Sequence, residues 1–137
     1  MKHPAPFPLK VIDGIASVLD VDTPLRVLDP FCGSGRIATV SEEWECFGVE
    51  IEEEWAAMAW ANGVDCCVGD SAKCIPQLPG TFDAVVTSPC YGNRMADTYA
   101  PPPEKKHAMR RTYRIALGHD LSEGSAACMQ WGEEYRD

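Results

Sequence analysis

The segment Val86-Thr87-Ser88-Pro89-Cys90-Tyr91 brings a hydroxyl, a proline carbonyl and an aromatic face together within a few residues. Proline has a fixed φ and no N–H, so the backbone at Pro89 leaves a strand ladder and turns its carbonyl outward. The Ser88 hydroxyl and the Pro89 carbonyl can both accept hydrogen bonds from an amino group. Such acceptors make the amino nitrogen more nucleophilic. Tyr91 offers a face on which a planar base, swung out of its stack, would lie. The plainer alternative is a strand terminator followed by a turn.

A second group of residues lies earlier in the chain. Asp29-Pro30-Phe31-Cys32-Gly33-Ser34-Gly35 follows a short apolar run, and Ala38 completes a Gly-x-Gly-x-x-Ala spacing. In an open α/β sheet this turn falls at the carboxyl end of a strand, where ligands bind. The helix expected to start at Arg36 would offer free N–H groups to an anion. Glu50 closes the second apolar run, 21 residues after Asp29. A carboxylate at that distance accepts hydrogen bonds from ribose hydroxyls. Asp70, followed by Ser71, suits the amino group of an adenine, and it suits a helix N-cap equally. Both a nicotinamide dinucleotide and S-adenosylmethionine fit this set. Asp29-Pro30-Phe31 ahead of the glycines favours the second. A pyrophosphate needs the strand to run directly into the first glycine. Adenosylmethionine carries an ammonium and a sulfonium, which an acid at the turn attracts.

The elements that must position these groups alternate. Pro8 to Leu19 has Leu9, Ile12, Ile15, Ala16 and Leu19 at helical spacing. Leu25–Leu28, Cys46–Ile51, Asp65–Asp70 and Phe82–Thr87 read as four strands. Helices are expected from Arg36 to Val40, from Glu52 to Asn62 and, interrupted by Pro76, from Ala72 to Leu78. Trp44, Trp55, Met58 and Trp60 are expected in the core. Strand and helix in alternation, with short connections, give an α/β, Rossmann-like, mainly parallel, doubly wound sheet of about four strands. Residues 1–91 form the expected core. In residues 92–137, Pro101-Pro102-Pro103 blocks helix and ladder alike, and no further strand is expected.

With these elements in place, the sequence resembles the amino-group DNA methyltransferases that use S-adenosylmethionine. Asp29–Gly35 is similar to their cofactor turn, and Thr87-Ser88-Pro89-Cys90-Tyr91 to their Ser-Pro-Pro-Tyr motif. His3-Pro-Ala-Pro-Phe-Pro8 resembles the segment that packs over the cofactor. The continuation Gly92–Asp97 resembles small methylases of phage and prophage genomes. The resemblance covers residues 3–91. It implies Phe7, Asp29, Phe31, Gly33, Gly35, Glu50 and Asp70 at the cofactor, and Ser88, Pro89 and Tyr91 as the catalytic set. It further implies methylation of cytosine N4 before adenine N6, double-stranded DNA as partner with its target base flipped, a restriction-modification setting and no metal. Two departures stand out. Cys90 replaces the second proline, which loosens the loop, and the family's later strands are missing. A partner chain or a further segment is expected to complete the fold, unless the chain is a fragment or an inactive module that still binds cofactor or nucleic acid.

Charge is unevenly spread over the 137 residues. The formal net charge is −9, which argues against wholesale coating of nucleic acid. Residues 92–116 nevertheless carry six Lys/Arg against two Asp/Glu. Arg94, Lys105, Lys106, Arg110, Arg111 and Arg114 are the candidate phosphate contacts, with Tyr99 and Tyr113 available for stacking. The seven cysteines include no Cys-x-x-Cys pair, so neither a zinc site nor a disulfide framework is expected. Residues 1–6 contain no apolar h-region, so no secretory signal is expected, and a cytoplasmic protein with reduced thiols is expected. Three other chemistries remain open at this level. They are an RNA or protein amino methyltransferase, a C5-cytosine methyltransferase with Cys90 as nucleophile, and a nicotinamide oxidoreductase. Cys90 lies one position early for the C5 enzymes.

Overall fold

Val27, Leu28 and Asp29 are successive residues, yet all three are buried. Burial without alternation is what a parallel strand covered on both faces requires. The computed structural model describes residues 7–88 and 117–119. The chain divides into two units, Ala5–Ser88 and Met1–Pro4 with Pro89–Asp137. In the second, Leu117 is buried and Gly118 has a left-handed φ of 82°.

The first unit carries four strands: β1 (Arg26–Asp29), β2 (Glu45–Glu50), β3 (Val64–Val68) and β4 (Ala84–Val85). Their order is β3-β2-β1-β4, and every pairing is parallel. The expected fold class is observed. Arg26 pairs with Glu45, Val27 with Cys46 and with Ala84, and Gly48 with Cys66. Helices α1 (Leu9–Val18), α2 (Glu53–Ala61) and α3 (Ser71–Cys74) alternate with the strands, and α2 packs on β2 and β3. Glu53 and Glu54 favour the positive end of α2, while Gly63 (φ 91°) lets the chain turn just past it. The core gathers Val27, Ile37, Trp44, Cys46, Ala56, Ala59, Val64 and Cys66. Among the described residues, no helix is long and apolar enough to cross a membrane.

Several sequence expectations need correction. The helix expected after the glycine turn is a 3-10 turn of four residues, Arg36–Thr39. Trp44 is already buried in the core, and its indole N–H donates to the Asp20 carbonyl (3.0 Å), so the chain turns early into β2. The piece after β3 is cut at Pro76 as expected: α3 gives way to a 3-10 turn at Ile75–Gln77, because proline is tolerated only in a first turn. The fourth strand is two residues long, although its ladder continues through Asp83 N–H to Arg26 O (2.8 Å) and Val86 N–H to Leu28 O (2.9 Å). Trp44 and Trp55 are buried as expected. Trp60 is 52% exposed, its indole N–H donating to the Cys66 carbonyl at 2.9 Å. On α1, Ile12 is buried and Ile15 and Leu19 pack on the core, but Leu9 stays exposed.

Arg26 fixes the placement of β4. Its guanidinium donates to Glu45 Oε2 (2.9 Å), Thr81 O (2.6 Å) and Pro79 O (2.9 Å). It also lies 4.6 Å from the Phe47 ring centre and 5.3 Å from that of Phe82. One side chain thus joins the start of β1 to the segment that leads into β4. Charge-assisted hydrogen bonds of this kind contribute roughly 1.5–3 kcal/mol each when shielded from water. Arg26 is partly exposed, so its bonds fall towards the lower end of that range.

Candidate functional site at the carboxyl edge of the sheet

Because all four strands run the same way, their carboxyl ends share one edge. β1 is flanked by β2 on one side and by β4 on the other, and in open α/β sheets ligands bind beyond the strand ends at such a change of direction. Asp29 ends β1 and Glu50 ends β2. Asp70 follows β3 by two residues, and Ser88 follows β4 by three. The separate sequence signals therefore converge on one edge.

The glycine turn is built by backbone geometry. Gly33 and Gly35 have φ of 52° and 76°, a region that L side chains rarely adopt. The Cys32 N–H donates to Val49 O (3.0 Å) and ties the turn to β2, while the Gly35 N–H closes it on Cys32 O (2.8 Å). Gly35 has a second role that the spacing alone did not assign. A Cβ there would lie 2.8 Å from Ala59 Cα and 2.9 Å from Val64 Cγ2, so the glycine lets the turn press on α2 and β3. Phe31 is half exposed at this turn.

The carboxylates differ in environment. Asp29 is 2% exposed, and its Oδ1 accepts the Phe31 N–H at 3.1 Å. Burial pushes its pKa up to about 6, against the opposing hydrogen bonds from Phe31 and the Thr87 hydroxyl. Asp29 thus touches the residue next to Ser88. Glu50 accepts the N–H groups of Ile51 (2.8 Å) and Glu52 (2.9 Å) at Oε1. Its pKa is also raised, by burial first, while those bonds and one from the Gly33 backbone favour the charged form. These bonds hold the carboxylate in one position. Asp70 is exposed, and its Oδ1 caps α3 by accepting the Ala72 N–H at 3.0 Å. Its N-cap role is therefore real, and its exposure leaves it open to a ligand as well.

Two positioning residues escaped the sequence reading. The Ser71 hydroxyl donates to the Pro30 carbonyl, and Asn62 Nδ2 donates to Ser34 O at 2.8 Å. Each anchors the glycine turn to a distant element. Asn62 reads in sequence as a helix end before Gly63, and Ser71 as the residue after a cap, so neither carried a signal for this role.

The remaining sequence candidates divide by position. Phe7 precedes α1 and is partly buried. Thr87 and Ser88 are exposed beyond β4. Pro89, Cys90, Tyr91, Arg94, Lys105, Lys106, Arg110, Arg111 and Arg114 lie outside the described residues. The four-residue 3-10 turn replaces the expected helix, so the helix-terminus site for an anion is not formed.

No protein-family model matches the sequence, and no curated protein matches it. Solved structures do. The chain superposes on precorrin 8w decarboxylase from Methanobacterium thermoautotrophicum with a TM-score of 0.55 at 16% identity, over 88% of this chain and 77% of that one. A proposed RNA methyltransferase from Pyrococcus horikoshii gives 0.47 at 17% identity, over 62% and 45%. A conserved hypothetical protein from Streptococcus pyogenes gives 0.46 at 22% identity, over 83% and 69%. At 16% identity the likeness to the decarboxylase is one of fold.

Proposed function

We propose that this chain is an S-adenosylmethionine-dependent methyltransferase that acts on an exocyclic amino group of a DNA base, cytosine N4 before adenine N6. The observation that carries this reading is the convergence of Asp29, Glu50, Asp70 and Ser88 on one edge of a parallel sheet, beside a turn with two left-handed glycines.

The residues at that edge fit the cofactor. They form a set of acceptors: a buried carboxyl at Asp29, a fixed carboxylate at Glu50 and an exposed one at Asp70. Ammonium, sulfonium, ribose hydroxyls and an adenine amino group are all cations or donors. A pyrophosphate would meet these acids without the helix terminus that dinucleotide folds supply. Asp29 and Phe31 would hold the methionine end, Glu50 the ribose and Asp70 the adenine amino group. The glycines of the turn give the backbone close approach, and Phe7 would form the far wall.

When bound, the cofactor supplies an electrophilic methyl group on a sulfonium. The Ser88 hydroxyl and the Pro89 carbonyl accept the N–H bonds of the target amino group and hold its lone pair in line. Tyr91 stacks the flipped base. Positioning of this kind is worth several kcal/mol of barrier. Arg94, Lys105, Lys106, Arg110 and Arg111 would contact DNA phosphates, and a second chain or further segment would complete the target-binding face.

Calorimetric titration with S-adenosylhomocysteine tests the cofactor site. Binding of roughly micromolar strength is expected. In Glu50→Gln it should weaken by about tenfold, equivalent to ~1.4 kcal/mol. Labelled methyl transfer to DNA, RNA and protein then tests the acceptor, and Ser88→Ala should abolish transfer while leaving binding intact. A folded chain that binds no homocysteine product overturns the reading. Binding with no transfer to any acceptor marks an inactive module, and transfer to RNA or protein alone removes the DNA assignment.

A further inference from the structure

Two buried thiols that the proposed chemistry leaves unused meet beneath the glycine turn. Cys32 lies within the turn and Cys66 within β3, and their Sγ atoms are 3.6 Å apart. They meet across Gly48 of β2, the residue paired with Cys66. The missing side chain at position 48 makes this possible. A Cβ there would stand 2.6 Å from Cys32 Sγ and 2.8 Å from Val64 Cγ1.

The two thiols are not equivalent. The hydrogen bond to Cys66 and then burial push Cys32 strongly towards its protonated form, and the charges of Asp29 and Glu50 add to this. The same bond favours the thiolate of Cys66 and lowers its pKa. Either sulfur can donate in this contact, and the lowered pKa makes Cys66 the sulfur better able to attack.

We infer that Cys32 and Cys66 form a reversible disulfide, an oxidation site for a peroxide, which reshapes the glycine turn. Its effect on cofactor binding rests on the function proposed above, whereas the bond itself does not. Cys66 sulfur attacks one peroxide oxygen, the O–O bond breaks, and a sulfenic acid and one water result. Cys32 sulfur then attacks the sulfenic sulfur. The S–O bond breaks and a second water leaves with the Cys32 proton. Two thiols and one hydrogen peroxide become one disulfide and two waters, and a dithiol reductant reverses the change.

An S–S bond of about 2.05 Å requires the sulfurs to close by roughly 1.5 Å. Cys66 is fixed by the β2–β3 ladder, whereas the Cys32 backbone N–H is held by one bond to Val49 O. Ser71 and Asn62 anchor the turn at Pro30 and Ser34, so the movement falls on Cys32 between those anchors. The Gly35 N–H donates to Cys32 O, and Gly35 is already pressed against Ala59, so movement at Cys32 reaches the glycines directly.

The test treats the full chain with hydrogen peroxide, alkylates the remaining thiols and maps peptides by mass. A linked Cys32–Cys66 peptide is expected, about 2 Da lighter than the reduced pair and restored by dithiothreitol. Backbone hydrogen exchange at residues 32–35 should speed up on oxidation. S-adenosylhomocysteine affinity should fall at least tenfold, and Cys66→Ser should make it insensitive to peroxide. Absence of that linkage, or linkage without any change in exchange at 32–35, overturns the inference, and both readouts use the wild-type chain. If the reduced chain binds no homocysteine product, the cofactor reading fails, and mass and exchange still decide the disulfide.

Discussion

The hydroxyl of Ser71 donates to the carbonyl of Pro30, 41 residues earlier in the chain. The corner after β3 is thereby fastened to the turn after β1. Asp70 caps α3 through the same corner, so its position and that of the glycine turn are set together. Removing the hydroxyl leaves a partly buried carbonyl without its partner, at a cost of about 1 kcal/mol. Ser71→Ala should lower the urea midpoint accordingly and weaken S-adenosylhomocysteine binding several-fold, while Ser71→Thr restores most of both. Unchanged affinity in a destabilised Ser71→Ala would show that the corner does not set the site.

The pKa of Asp29 predicts a pH dependence with a definite sign. Burial raises it from 3.8 to about 6. The folded state therefore holds the proton more tightly than the unfolded chain does. The stability this gives is complete below pH ~4 and is lost as pH rises through ~6, by roughly 3 kcal/mol. Asp29→Asn should flatten the stability curve between pH 4 and 6, measured by urea unfolding at each pH. A cation beside Asp29 acts in the opposite direction and favours its charged form. Binding of the homocysteine product, through its ammonium, should accordingly tighten between pH 5 and 7, and this slope should vanish in Asp29→Asn.

Gly35 and Gly63 separate backbone strain from steric overlap. Both have left-handed φ, but a Cβ on Gly63 meets nothing within 4 Å, whereas one on Gly35 strikes the Ala59 backbone at 2.8 Å. Gly63→Ala should cost about 1 kcal/mol through strain alone. Gly35→Ala adds overlap with a packed helix and should cost about 3 kcal/mol. Thermal unfolding of the two variants checks the order, and equal losses would refute the packing role of Gly35.

What could be read from the sequence followed from local signals. Apolar runs marked all four strands, and acids at strand ends marked Asp29, Glu50 and Asp70, because each signal spans a few residues. Tertiary contacts overrode local pattern elsewhere. The spacing after Gly35 suggested a helix, but the indole of Trp44 is anchored at Asp20 and the chain stops after one 3-10 turn. Leu9 carries the helical period of α1 and yet is exposed. Arg26, Asn62 and Ser71 act through bonds to residues far along the chain, and no local pattern announces such partners. Gly48 gave no turn signal, because its glycine serves close packing within a strand.

The sequence order of the strands, β1, β2, β3 and β4, is also their order of birth. Arg26 reaches Glu45 across 19 residues and Asp83 across 57. Closing the longer loop costs about 1 kcal/mol more in chain entropy. On a ribosome the partners of β1 emerge in the same sequence. The half of the edge that holds Asp29, Glu50 and Asp70 can be in place while Thr87 and Ser88 are still being added. A nascent chain paused before β4 would carry the carboxylates without the hydroxyl, so of the described strands the one that leads to Ser88 is born last.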